Sequence, residues 1–367
     1  MNYIFREKES YLYDALLFPG MIYYEEEDIK NSEDNYNEYI TESSIAMIKE
    51  MHDLIMPFED EVRKFYFKGG EERHFIQLLM VSNPILGEYN PVEYLKNLEK
   101  KSEKDLLFEA IYALDYFDQD MERQDKQASE LIAKNLVDNQ EKVMPWINGL
   151  SINNDSKWQL YSFMQDPKKV LESYVALMME IIPIFDKFYE KYRENVIVYG
   201  ENFIERLYAT EGDSLSSLSN GLISESILGH EGDMDILISL TYSLGIMLNT
   251  ASVKPYITWG YEVENVFLAI KDHEANQIVE RVTFFKNLGD KTRYEVLMNI
   301  AKGITSTKII AKNLSVSSAT ISYHLNNLVT AKLIYLAQIE GKYTYKVNEE
   351  VIKRTFDGFM RDLENLQ

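Results

Sequence analysis

Residues 305–327 read TSTKIIAKNLSVSSATISYHLNN. Within them Ile309, Ile310 and Leu314 fall on one side of a predicted helix, with Thr305 placed to cap its start and Val316 in the turn that follows. A second helix carries Ile321, Leu325 and Leu328 at i, i+4 and i+7, one buried stripe, and Ser317 is placed to cap it. At about 100° per residue, Ala319, Thr320, Tyr323, Asn326 and Asn327 then project away from that stripe, with Ser318 and Ser322 on its flanks. Side chains this short and polar can approach base edges without holding the helix out of a major groove.

The flanking segments extend the pattern. Upstream, LGDKTRYEVLMNIAKG predicts a helix with Asp290 at its start, Val296, Leu297 and Ile300 on one side, and Gly303 as its stop. Downstream, LIYLAQIEGKYTYKV predicts two strands that turn around Glu340, Gly341 and Lys342. Three helices followed by a β-hairpin make a winged helix-turn-helix. The segments LGDKTRYEVL, IAKNLSVSSATISYHLNNLVTAKLI and GKYTYKV resemble the winged-helix domain of ArsR-type bacterial transcription regulators, over roughly the last quarter of the chain. The most specific part of the resemblance is S-x-x-T-I-S-x-H-L, here Ser317, Thr320, Ile321, Ser322, His324 and Leu325.

The resemblance implies a recognition helix that enters the major groove of duplex DNA. Ser318, Ala319, Thr320, Tyr323 and Asn327 are expected near bases, flanked by Ser322. Thr305, Thr307, Lys308, Ser317 and the wing residues Lys342 and Tyr343 are expected near the sugar-phosphate backbone. For His324 two roles stand open, orienting the recognition helix or touching a phosphate, beside a purely structural one. Charge is segregated in the same sense. Residues 281–327 hold seven basic residues, Arg281, Lys286, Lys291, Arg293, Lys302, Lys308 and Lys312, against Asp290 and Glu295, a local +5 in a chain of −22. Phosphates repel so acidic a chain, so a basic island at the helix-turn-helix marks the surface that meets them.

The residues before position 278 carry −26, because residues 278–367 hold thirteen basic and nine acidic residues. With most of the 26 tyrosines here, this part reads as a packed domain rather than an acidic tail. Its periodicity is helical: Phe75 to Met80 before a stop at Asn83-Pro84, a helix opened by Pro91, a stripe from Leu106 to Leu114, and a long helix capped at Asp166 that runs to about Arg193, with Pro183 a kink or break. Residues 195–204 are ambiguous, 211–221 read as a loop, and only Tyr3 to Phe5 suggest a strand. The fold class expected is mainly α, a large helical amino-terminal domain followed by a winged helix-turn-helix. The divisions expected are an acidic regulatory domain at 1–260, a helical connector at 261–288, and a DNA-binding domain at 278–367 whose last helix pairs two copies into a homodimer.

No catalytic grouping has specific spacing: there is no glycine-rich phosphate loop, nucleophile elbow or cysteine. The reading is therefore not an enzyme. Metal sensors of the ArsR type use thiolates or paired histidines and carboxylates, but here His52, His74, His230, His273 and His324 are scattered singly, so neither metal nor other cofactor is expected. The acidic groups at 25–28, 211–213 and 231–235 read as a solvated run and as loops. The most apolar run, Ile236 to Leu248, is too short for a membrane span and reads as buried core, and no secretory leader is evident, so a cytoplasmic protein with no membrane partner is expected. These residues predict a regulator, a repressor by the resemblance, controlled by a small molecule or protein. A nucleic-acid-directed enzyme and a protein-docking module are the alternatives.

Overall fold

The computed structural model describes residues 2–24, 41–67, 74–87, 90–119, 124–219, 223, 232–249, 254–267, 277–339 and 342–364. The chain divides into two compact units. The first comprises Met1–Asp118, Asp125–Gly212 and His230–Val266, and the second Gln119–Gln124, Asp213–Gly229 and Phe267–Gln367.

Helices dominate the first unit, and most form where caps and apolar spacing place them. Asn90 accepts from the Glu93 amide at 2.8 Å to start Pro91–Glu99, and Asp166 accepts from the Lys169 amide at 3.2 Å to start Pro167–Tyr189. That long helix passes through Pro183 without ending and stops at Glu190, and a new helix, Arg193–Ala209, takes in the ambiguous residues 195–204. The expected loop begins the second unit's stretch Asp213–Gly229, where Asp213 caps a short helix, Ser214–Leu218. The core is rich in rings: Phe185 packs at 5.1 Å from Phe18 and 5.5 Å from Tyr189, and Tyr174 at 4.9 Å from Phe75.

The unit also contains a sheet of which the sequence showed only the first strand. β1 (Asn2–Phe5), β2 (Asp233–Ser239), β3 (Ile246–Asn249) and β4 (Tyr256–Gly260) lie in the order β1-β2-β4-β3. β1 and β4 flank β2 in parallel, and β3 closes the sheet antiparallel to β4. The apolar run 236–248 is thus strand, turn and strand. Its β2 portion is buried from Met234 to Ser239, and a strand covered on both faces loses the alternation that would separate it from a buried helix. Helix Glu7–Leu17 follows β1 and is tied to the end of β2 by Asp14. The fully buried Asp14 carboxylate accepts from the Ser239 hydroxyl at 2.6 Å, the Leu240 amide at 2.7 Å, and the Thr241 hydroxyl and amide at 2.7 and 3.2 Å. On β2 itself, buried Asp235 is neutralised by Arg6 at 2.6 Å and Lys254 at 2.5 Å.

Burial pushes the Asp14 carboxyl up to about 6, against its hydrogen bonds, which pull it down. Between roughly pH 4 and pH 6 the folded chain holds a proton that the unfolded chain has released, so this group's contribution to stability falls as pH rises through that window. The fall is about 3 kcal/mol. The stability gap between wild type and Asp14→Asn should therefore move by that amount in the variant's favour from pH 4 to pH 7. Urea unfolding read by tryptophan fluorescence isolates the unit, because Trp146, Trp158 and Trp259 all belong to it. A gap that stays constant across this range rejects the assignment.

The second unit carries the winged helix. Helices Gln277–Gly289, Lys291–Ala301, Thr307–Leu314 and Ser318–Thr330 are followed by the hairpin of β5 (Ile334–Ile339) and β6 (Lys342–Val347), and by helix Glu349–Glu364. The predicted turn at Glu340 and Gly341 lies outside the described residues, as do Leu366 and residues 268–276 of the expected connector.

Candidate nucleic-acid interface

Three side-chain caps start helices of the carboxy-terminal unit. Asp290 accepts from the Arg293 amide at 2.7 Å, Ser306 from the Ile309 amide at 3.3 Å, and Ser317 from the Thr320 amide at 3.0 Å. The middle cap is Ser306 rather than Thr305. Both can accept, but the helix begins at Thr307, which puts Ser306 at the capping position. The helices end in left-handed residues, Gly303 at φ 79°, Ser315 at φ 57° and Lys332 at φ 55°. Each is followed by an amide that reaches back along the helix: Ile304 to Asn299, Val316 to Ala311 and Leu333 to Leu328.

Under these turns lies one core, with Val296, Leu297, Ile300, Ile310, Ala311, Ile321, Leu325 and Leu328 all buried. Ile309, expected on the buried side, is 40% exposed, and Ala311 takes its place inside. A helix of eight residues buries a narrow stripe, and Ile310 and Ala311 fill it.

The recognition helix is Ser318–Thr330. Ser317, Ala319, Tyr323 and Asn326 are exposed, and Ser318, Thr320 and Ser322 half-buried. These residues are brought together along the first turns and the outer face. The Ser317 and Thr320 hydroxyls lie 2.7 Å apart, which fixes the entry of the helix. Two expected contacts are corrected. His324 is 9% exposed and Asn327 1%, so neither offers its side chain to DNA in this conformation. His324 sits between Ile321 and Leu328 on a stripe wider than three residues. Asn327 shares an angular sector with Thr320 and Tyr323 but lies more than a turn farther along the helix, where neighbouring chain encloses it.

Beside the helix start, Thr305 and Thr307 are half-buried and Lys308 exposed. The Thr344 hydroxyl on β6 lies 3.3 Å from that of Thr305, which ties the wing to the helix pair. Tyr343 on β6 is half-buried and keeps its proton, since burial raises its pKa. Lys342 opens β6, and its side chain lies outside the described residues. The basic island is smaller than its count. Arg293 is 8% exposed, donating to Asn287 at 3.1 Å and lying 3.9 Å from Asp290, so it holds helices together instead of meeting phosphates. Lys286, Lys291, Lys302, Lys308 and Lys312 remain exposed.

Residues 290–335 match the family model described as bacterial regulatory protein, arsR family. They contain the capped helix Lys291–Ala301, the helix-turn-helix pair and the first residues of β5. This segment is an ArsR-type helix-turn-helix, and with its wing it defines a DNA-binding domain of the kind that regulates transcription. No curated protein and no solved structure matches the chain.

Proposed function

We propose that the chain is a transcription regulator that binds duplex DNA as a homodimer and represses until an effector, held by its amino-terminal unit, lowers operator affinity. The observation that carries the DNA reading is the polar entry of the recognition helix, with Ser317, Ala319 and Tyr323 exposed, beside the exposed Lys308 and Lys312. In this reading the chain has no catalytic role and works in the cytoplasm, where its DNA is.

The dimer reading rests on helices Gln277–Gly289 and Glu349–Glu364, which flank the winged helix. Phe285 meets Phe356 and Phe359 at 5.5 and 5.1 Å, joining the two helices. Val282, Phe356, Phe359 and Met360 are nevertheless 59%, 44%, 39% and 53% exposed. An apolar face this open fits a second copy across a two-fold axis, which would also present two recognition helices to two half-sites. The regulatory part is the unit that carries most of the negative charge, as an element kept off the phosphates must. An effector acts by preferring one state of the protein, and about 1–3 kcal/mol of preference changes operator affinity by roughly 5- to 150-fold.

Anisotropy titrations of the full chain against its own upstream region and against random duplex, at moderate salt, test the reading. Equal affinity for both sinks it. Lys308→Ala should weaken binding to both duplexes and reduce the salt slope by about 0.9, the share of one phosphate contact. Tyr323→Ala should instead change sequence preference, by about 1–3 kcal/mol at the bases it meets.

A further inference from the structure

We propose that a cleft in the amino-terminal unit binds a small organic cation carrying one or more ammonium or guanidinium groups. The inference gives the effector of the proposed function a chemical class and a place, and it rests on that reading only for its consequence at DNA. The cleft has a volume of about 530 Å³ and lies between helix Glu7–Leu17, the start of helix Pro91–Glu99 and the end of helix Pro167–Tyr189. That size suits a small molecule.

Its wall is anionic. Glu7, Glu93, Asp186 and Glu190 face Lys8 and Arg193, four carboxylates against two cations. Arg193 is already engaged, 3.1 Å from Glu7 and 4.0 Å from Glu190, and Asp186 accepts from the Tyr11 hydroxyl. Glu93 makes no ion pair among the described residues, so the uncompensated charge on this wall is negative.

A second observation is independent of charge. Tyr189, which lines the same cleft, is 3% exposed, and its buried hydroxyl has no hydrogen-bond partner among the described residues. Folded chains seldom leave a buried phenol unpaired, and a ligand N–H donor would satisfy it. Tyr11 stands edge-on to Tyr189 with ring centres 5.0 Å apart, and aromatic walls of this kind favour an organic cation with a carbon skeleton. A bare metal ion fits less well, because no three His, Asp or Glu side chains among the described residues are grouped to hold one.

Calorimetry on the full chain, without DNA and at moderate salt, tests the site with spermidine, agmatine and phenethylamine, against triethylene glycol and adipate as uncharged and anionic controls. At least one amine should bind saturably, and neither control should. Tyr189→Phe removes only the unpaired hydroxyl. It should leave the thermal transition no lower and weaken the amine by roughly 2- to 12-fold, the range of one hydrogen bond. Glu93→Gln, an exposed and structurally neutral change, should weaken it as well. If no amine binds saturably, or if binding is the same in both variants, the site is overturned. The second pattern is what diffuse attraction to a chain of −22 would give. Operator binding is measured separately, so failure here leaves the DNA reading standing. Saturable binding that leaves operator affinity unchanged upholds the site and removes only effector control.

Discussion

The double variant Val282→Glu, Met360→Glu is expected to be monomeric at micromolar concentration and to lose about a hundredfold or more in operator affinity. Both side chains are already more than half exposed in the single chain, at 59% and 53%, so carboxylates there cost the monomer's fold little. Between two copies they would be desolvated and would face like charges. The loss at DNA follows from linkage. A recognition helix alone reads only a few base pairs, and joining two on one scaffold raises apparent affinity by about 10²- to 10⁴-fold without a new contact. Light scattering and anisotropy on the same preparation check both halves. A variant that remains dimeric, or a wild type that is monomeric with and without operator, rejects the pairing face.

Ile321→Ala is expected to destabilise the carboxy-terminal unit by about 2–5 kcal/mol. Ile321 is fully buried in the recognition helix and belongs to the one core that the capped helices share. A domain of this size has a total stability of about 5–15 kcal/mol, so the change consumes a large part of it. Tryptophan fluorescence will not report it, because every tryptophan lies in the other unit. Hydrogen exchange at the amides of Ser318–Thr330 will. Tyr323→Ala, on the opposite side of the same helix and 42% exposed, should leave exchange within about 0.5 kcal/mol of wild type. If both substitutions speed exchange equally, the buried and exposed faces have been misassigned.

The parts of the winged helix that the sequence displayed are those whose causes are local. Asp290 and Ser317 cap their helices because the acceptor lies three residues before the amide it serves, and Ile321, Leu325 and Leu328 share a stripe by rotation alone. Errors arose where a neighbour decides. Thr305 and Ser306 are equally able acceptors until the helix start is placed, and Asn327 points outward by angle while the surrounding chain covers it. In the amino-terminal unit the helices announced themselves by caps and prolines, but the sheet did not. Arg6 and Asp235, which meet at 2.6 Å, stand 229 residues apart, and Tyr11 and Asp186 in the cleft stand 175 apart. Periodicity within one segment carries no information about such pairings.

The pairing of Asn2 with Asp233 has a consequence for synthesis. β1 is made 231 residues before its partner strand, which at about 5–20 residues per second is a wait of roughly 12–46 s. During that interval the helices encoded between them can form, but the sheet against which Glu7–Leu17 and Arg193–Ala209 pack cannot. β4 comes later still and ends at Gly260. A nascent chain arrested before that point would display apolar helix faces without their floor, and is the species a holding chaperone should recognise. The winged helix, whose contacts are close in sequence, carries no such delay once it leaves the ribosome.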